Sequence, residues 1–306
     1  MPRPLLALVG PTASGKTQAG IVLARALGAE IVSVDSMVVY RGMDLGTAKP
    51  TAPQRRQVAH HLLDVVDPSE AFSVARYQEL AREALAGIER RGARALLVGG
   101  SGLYLRALVD DLEFPGTDAG TRDDLEREAD ALGAEGMHRR LALADPVAAA
   151  KIEPGNVRRT VRALEVAAVT GQRFSSFAQA WREYPAGRVR AVGVDIPREV
   201  LARRIHERVV AMMDAGFLEE VRGLVGRGLG EWLTSSKAIG YAEMARHLRG
   251  SLSLAEAVDA TERRTTGLAR RQMSWLRRDP RIRWIAAGEG GSLEVVDALL
   301  AELEAG

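Results

Sequence analysis

An apolar run at Leu5–Val9 ends in Gly10-Pro11-Thr12-Ala13-Ser14-Gly15-Lys16-Thr17, and a helical pattern starts at Lys16. This succession of strand, glycine-rich turn and helix constrains the fold more than any other feature of the chain. The turn reads G-x-x-x-x-G-K-T. Its glycines let backbone N–H groups curl around phosphate oxygens, the helix N-terminus adds a favourable dipole, Lys16 supplies a mobile charge and the Thr17 hydroxyl can ligand Mg²⁺. All eight residues are therefore expected to bind a di- or triphosphate, with Thr17 as the metal ligand.

Further apolar runs at 30–34, 62–66, 95–98, 188–196 and 282–285 alternate with helical stretches at 16–27, 73–91 and 254–278. Such alternation specifies a parallel sheet with helices on both faces, an α/β fold of the P-loop NTPase-like kind. Pro197 suits the first turn of a helix, and Gly216 suits its C-terminal cap. Between residues 115 and 187 the strands stop and amphipathic helical stretches take over, bounded by Phe114-Pro115-Gly116 and Tyr184-Pro185-Ala186-Gly187. The expected organisation is a core domain of 1–114 and 188–306 with an inserted all-helical domain at 115–187.

Composition narrows the functions available. At 306 residues and 46% apolar content the chain can bury a large core, and 27% charged residues suit an aqueous protein. No apolar run is long enough to span a membrane, and the N-terminus lacks the pattern of a signal peptide, so a cytoplasmic protein is expected. The absence of cysteine rules out disulfides, thiolate nucleophiles and cysteine-ligated zinc, and the five histidines are scattered. A net charge of +2 means that any nucleic-acid surface is a local patch. Only four of the 42 basic residues are lysine: Lys16, Lys49, Lys151 and Lys237.

The identity of the phosphate compound decides the function. A P-loop nucleotide hydrolase ends a second strand in a carboxylate that holds Mg²⁺ through water, yet the run at 95–98 ends in Gly99-Gly100-Ser101-Gly102. Asp35, at the end of the run at 30–34, is the carboxylate at a strand's C-terminal edge beside the loop, where open α/β sheets place their ligands. It reads either as a turn cap, since Asp-Ser is good capping chemistry, or as a general base facing the phosphates. Arginines at 263, 264, 270, 271, 277 and 278 recur every seven residues along the C-terminal helical stretch and share a face. With the Arg158, Arg159 and Arg162 cluster they suit a phosphate backbone better than a merely solvated face. His60 and His61 read as capping or core residues, and Trp181 and Trp232 as packing residues.

Several strings, in order, resemble the bacterial tRNA dimethylallyltransferases. They are the P-loop itself, Ser33-Val34-Asp35-Ser36-Met37, Tyr40-Arg41-Gly42-Met43-Asp44-Leu45-Gly46-Thr47-Ala48-Lys49-Pro50 and His60-His61-Leu62-Leu63-Asp64. Leu97-Val98-Gly99-Gly100-Ser101-Gly102-Leu103-Tyr104, Arg162-Ala163-Leu164-Glu165-Val166 and Gly216-Phe217-Leu218-Glu219-Glu220-Val221-Arg222 continue the series, and Ala238-Ile239-Gly240-Tyr241 and Arg271-Gln272-Met273-Ser274-Trp275-Leu276-Arg277 complete it. The resemblance covers about nine-tenths of the chain. Val38, Ser101, Asn156, Lys237 and the Thr265-Thr266-Gly267 string depart from the residues commonly found there.

The resemblance implies a monomeric prenyltransferase that uses Mg²⁺ and moves the dimethylallyl group of dimethylallyl diphosphate onto N6 of adenosine 37 of tRNA. Asp35 is then the base, Thr17 carries the metal, and Lys16, the loop amides and Arg222 stabilise the departing diphosphate. Asp35, Ser36, Met37, Val38, Ser101, Lys237, Ala238, Ile239, Gly240 and Tyr241 are expected to line the nucleoside pocket. Arg122, Arg158, Arg159 and Arg162 of the insertion, with Arg270, Arg271, Gln272, Trp275 and Arg277 of the C-terminal helix, are expected to hold the RNA. Two other readings fit the same residues: a small-molecule kinase, whose strand-end Asp deprotonates an alcohol beside bound ATP, and an RNA-binding switch gated by a nucleotide without chemistry.

Overall fold

The computed structural model describes residues 4–178 and 183–305. Six parallel strands form one sheet: β1 (Leu5–Val9), β2 (Ala29–Val34), β3 (His60–His61), β4 (Arg94–Gly99), β5 (Val189–Asp195) and β6 (Ile282–Ala286), in the order β3-β2-β4-β1-β5-β6. The first four helices are α1 (Lys16–Leu27), α2 (Ala52–Arg55), α3 (Val74–Arg90) and α4 (Gly102–Val109). After β4 come α5 (Ala119–Ala144), α6 (Pro146–Ala149) and α7 (Val157–Thr170), and after β5 come α8 (Arg198–Asp214), α9 (Phe217–Gly226), α10 (Tyr241–Leu248), α11 (Leu254–Leu276) and, beyond β6, α12 (Val296–Glu304).

Alternation along β1 divides the core. Leu6 and Leu8 pack on one face with Ile21 and Leu23 of α1 and Leu299 and Leu303 of α12. Ala7 and Val9 face the other side, towards Tyr77, Leu105 and Tyr241. Two-sided burial is why these strands read as continuous apolar runs. β1 pairs with β4 on one side and β5 on the other, Leu8 standing opposite both Val98 and Val192. The chain leaves β1 for β2 and returns to β5 on the opposite side, so the C-terminal edge of β1 is a switch point, where a crevice opens for ligand. Close approach at that edge requires glycine: a Cβ on Gly99 would fall on the Val34 carbonyl, and one on Gly100 would lie 2.8 Å from the Gly10 carbonyl oxygen.

The segment expected to form a strand at 62–66 does not. The strand stops at His61, because Leu62 and Asp64 adopt φ of 64° and 57°, which no strand tolerates. The fully enclosed Lys49 ammonium, 2.6 Å from one Asp64 oxygen, and the Arg55 guanidinium, 2.6 Å from the other, hold the chain in that conformation. These two cations overcome the effect of burial and keep the Asp64 carboxyl below its usual range. Gly216 sits one residue past the α8 cap, at φ 95°, and also begins α9. Trp232 packs against the core, whereas Trp181 lies outside the described residues.

The chain divides into two compact units, Met1–Asp110 with Pro185–Gly306, and Asp111–Tyr184. The second has its own core of Leu125, Met137, Leu141, Ile152, Val161 and Leu164. Asp118 and Asn156 cap α5 and α7 by accepting the Thr121 and Arg159 N–H groups, and α5 breaks at Gly133 (φ 67°). Among the described residues no helix is long and apolar enough to cross a membrane.

Leu299, fully buried, anchors α12 to the sheet. Leu299→Ala should lower the free energy of unfolding by roughly 2–5 kcal/mol, the usual cost of a buried leucine truncated to alanine. Urea denaturation checks this, and a loss of under about 1 kcal/mol would mean that α12 is not part of the core.

Candidate phosphate site and its neighbouring cavity

The turn after β1 closes around the Lys16 side chain. Ala13 and Gly15 take left-handed conformations, φ 63° and 86°, which let the backbone curl into a cradle. The Lys16 ammonium folds back to donate to the Pro11 carbonyl and, at 3.1 Å, to Ser14 Oγ. In front of the loop lies a cavity of about 610 Å³ lined by Thr12 to Thr17, Asp35, Arg204, Glu207 and Arg208, with Val38, Leu63 and Val98 among its apolar walls. Gly10 and Pro11, expected to bind phosphate, are not on this lining: the Gly10 carbonyl faces Gly100, and Pro11 borders a separate groove.

Three cations and two carboxylates therefore meet in one space. Burial, and then the neighbouring Arg208 charge, pull the Lys16 pKa down to about 7, while Asp35 pulls it the other way. Arg208 is shifted down by burial and supported by Asp35. Its Nη2 donates to Thr12 Oγ1 at 2.7 Å, and among the described residues its buried Nε finds no partner. An unpartnered buried N–H beside a phosphate loop is a donor awaiting an anion. Asp35, at the end of β2, is fixed by the Met37 N–H, which donates to its Oδ1 at 2.8 Å. The capping and functional readings of this carboxylate thus coexist: the turn bond orients a group that borders the cavity.

A second cavity of about 500 Å³ adjoins the first. Thr12, Asp35, Thr47, Gly100, Arg208 and Gln272 line both, so the two meet at the loop and the Asp35 carboxylate. Ser36, Met37, Ser101, Lys237, Ala238, Ile239 and Gly240 line the second cavity as expected from the sequence, with Arg264, Arg271 and Trp275 from α11. Two of the expected pocket residues lie elsewhere. Val38 faces the phosphate cavity, and Tyr241 is fully buried, its hydroxyl donating to Glu220 Oε1 at 2.5 Å. That hydroxyl is pushed up by burial and then by the Glu220 charge, so it stays protonated. Glu220 also accepts the Leu45 N–H at 2.9 Å, which ties the 44–48 turn to α9.

The arginines need sorting. Arg222 is a correction: its exposed side chain pairs with Glu219 at 3.1 Å and lines neither cavity, because α9 presents its apolar face, Phe217 and Val221, inwards. Two guanidinium groups reach the phosphate loop, those of Arg204 and Arg208 on α8, and Arg208 is the one with a buried N–H still to be satisfied. Sequence reasoning missed it because it is one of many arginines; the usable signal is its i,i+4 spacing from Arg204 on the helix after β5. On α11, Arg271, Gln272 and Trp275 face the second cavity, whereas Arg270 and the capping Arg277 just past the helix face the groove beside α8, where Arg277 pairs with Asp195 at 2.8 Å. Gln272 is committed to the loop, its Oε1 accepting the Thr12 N–H at 2.8 Å. In the insertion, Arg122 and Arg162 both grip the buried Glu165, at 2.5 and 2.8 Å, and only Arg158 and Arg159 of that set extend from α7 with exposed side chains.

A hard cation would find oxygen donors here. The Thr17 hydroxyl and the Asp35 carboxylate border the same cavity as the phosphate cradle, a set that fits Mg²⁺, which is bound by few protein oxygens together with phosphates and water. Among the described residues no group of three or more His, Asp or Glu side chains forms a metal cluster.

Comparison with known proteins identifies the family. A family model described as IPP transferase matches residues 38–279. A tRNA dimethylallyltransferase of Desulforudis audaxviator is 47% identical over 99% of each chain. One of Kineococcus radiotolerans is 50% identical, covering 94% of this chain and 92% of its own. Among solved structures, a tRNA isopentenylpyrophosphate transferase of Bacillus halodurans superposes with a TM-score of 0.70 at 38% identity, covering 99% of this chain and 97% of its own. The chain belongs to the IPP transferase family.

Proposed function

We propose that the chain transfers the dimethylallyl group of dimethylallyl diphosphate to N6 of adenosine 37 in tRNA, releasing diphosphate. The observation that carries this reading is the meeting of two cavities at Asp35: one lies against the P-loop with Lys16, Arg204 and Arg208 around it, which suits a diphosphate, and the other has apolar walls that suit a nucleobase and a basic rim that suits its flanking phosphates. Labelled dimethylallyl diphosphate and unmodified tRNA test it directly. Label should pass to the RNA, and robust ATP hydrolysis or phosphorylation of a small alcohol without such transfer would favour the kinase reading.

The residues divide the work. The loop amides, Lys16 and Arg208 hold the diphosphate and stabilise the charge that grows on its bridging oxygen as the C–O bond breaks. An adenine amine is a poor nucleophile because its lone pair is delocalised into the ring, and Asp35 accepts its proton as the C–N bond forms. Thr17 and the diphosphate would hold Mg²⁺, which neutralises part of the leaving-group charge. The adenosine must leave the stack of its loop to reach Asp35, at a cost of a few kcal/mol that contacts along the second cavity offset. Arg158 and Arg159 of the insertion, and Arg270 and the capping Arg277 of α11, serve the RNA phosphates. Every group this scheme needs lies on one chain, and the scheme takes the enzyme as a monomer acting in the cytoplasm.

Asp35→Asn should slow the chemical step on the order of 100-fold or more while tRNA affinity stays within a few-fold, read by single-turnover kinetics and by filter binding. An unimpaired single-turnover rate would remove Asp35 from the mechanism. The two candidate arginines separate cleanly. Arg208→Ala should lower kcat/KM for dimethylallyl diphosphate by about 100-fold or more, as expected for a donor to a leaving group, and Arg222→Ala should change it by less than about threefold. The reverse order would return the leaving-group role to Arg222.

Lys16 makes binding pH-dependent. Below about pH 7 its ammonium is already present in the free protein. Above that, diphosphate binding must restore the charge by taking up a proton, so affinity falls as pH rises, by up to about tenfold per unit. Calorimetry at about pH 8.5 in buffers of different ionisation enthalpy should show net proton uptake that disappears in Lys16→Ala. The same uptake in that variant would assign the proton to another group.

A further inference from the structure

The phosphate loop is gripped from behind by the segment that follows β6. Ser292 is fully buried and gives the Ser14 carbonyl two hydrogen bonds, from its N–H at 2.9 Å and its Oγ at 2.7 Å. Arg204 Nε donates to the Ala13 carbonyl at 2.9 Å, while its Nη1 donates to the Glu289 carbonyl at 2.8 Å, so one guanidinium ties the loop to the same segment. Gly291, at φ 61°, lies so close beneath the loop that a Cβ there would sit 2.8 Å from the Ser14 carbonyl oxygen. The segment is itself fixed by Glu294, which accepts the Gly288 and Gly290 N–H groups at 3.2 and 3.0 Å.

A trans peptide points its C=O and the following N–H in opposite directions. Holding the Ser14 carbonyl against Ser292 therefore aims the Gly15 N–H away from the segment, into the cradle. Holding the Ala13 carbonyl fixes a non-glycine residue at φ 63°, a conformation that costs about 1 kcal/mol or more unless its surroundings enforce it. Ser292 is not on the lining of the phosphate cavity, so whatever it does for a ligand passes through the loop. Neither the loop nor this segment falls within residues 38–279, the stretch matched by the family model.

We infer that residues 288–294 are a brace that pre-organises the phosphate loop, with Ser292 a positioning residue for the diphosphate; the inference rests on the diphosphate-binding reading above. A loop braced before the ligand arrives does not spend binding energy on ordering itself. The effect belongs to diphosphate affinity and leaves RNA binding untouched.

Ser292→Ala removes one of the two bonds to Ser14 and leaves the other. The Kd of inorganic pyrophosphate with Mg²⁺, measured by calorimetry without RNA, and the KM for dimethylallyl diphosphate should each rise about 3- to 10-fold, the weight of one buried hydrogen bond. The KM for tRNA and the thermal midpoint should stay near their starting values. Hydrogen exchange at the Gly15 amide of the ligand-free protein should quicken by a similar factor. Should Ser292→Ala not fold, Arg204→Ala frees the Ala13 carbonyl and should quicken exchange at the Ser14 amide, the N–H of the same peptide. Unchanged pyrophosphate affinity and unchanged exchange would overturn the brace, as would an equal rise in both KM values. Prenyl transfer failing in a protein that binds pyrophosphate and shows the Ser292 effect would instead sink the proposed reaction and leave the brace standing.

Discussion

A carboxylate and a diphosphate repel each other, and the proposed reaction needs them side by side. The architecture of the site follows from that constraint. β1 and β2 end at the same edge of the sheet, one in the phosphate loop and the other in Asp35, because both strands run parallel on either side of β4. Lys16, Arg204 and Arg208 then stand around Asp35 and Glu207. In the free protein burial is the main reason that Lys16 is held near 7 and that Arg208 is shifted down, and the Arg208 charge adds to the effect on Lys16. An arriving diphosphate supplies the negative charge that offsets that burial. The strain of the empty site and the affinity of the filled one are two aspects of the same charge arrangement.

The phosphate loop, the strand ends and the long helix α11 are legible in the sequence because they rest on local chemistry: a glycine-rich turn, continuous apolar runs, helical spacing. What escapes a sequence reading depends on contacts distant in the chain. The run at 62–66 is apolar enough for a strand, but Lys49 and Arg55 capture Asp64 and force the backbone into left-handed turns. The short apolar pattern of α12 gains meaning only when Leu299 and Leu303 find α1 and β5. Arg208 is hidden by abundance. With 42 basic residues, nearly all arginine, composition offers no contrast, and only the packing of α8 against the loop singles it out.

The insertion shows the same limit from the opposite side. Four of its arginines look alike in sequence, yet Glu165 is buried and needs its charge balanced, so Arg122 and Arg162 are drawn onto it. These two guanidinium groups keep the Glu165 carboxyl below its usual range against the opposing effect of burial. Breaking such a buried pair is costly because it strands a charge, so these arginines hold the fold of the insertion. Arg158 and Arg159 are exposed in the first turn of α7, which is what the proposed contact with RNA phosphates requires.

Under the proposed reaction, the two cavities that meet at Asp35 hold both substrates together, and the prenyl group passes straight from diphosphate to amine. Initial rates measured while dimethylallyl diphosphate and tRNA are both varied distinguish this from a stepwise route. Direct transfer predicts double-reciprocal plots that intersect. Parallel lines would mean that diphosphate departs before the RNA binds, with the prenyl group resting on a protein side chain in between, and would contradict both the role of Asp35 as the amine's base and the meeting of the two substrates at its carboxylate.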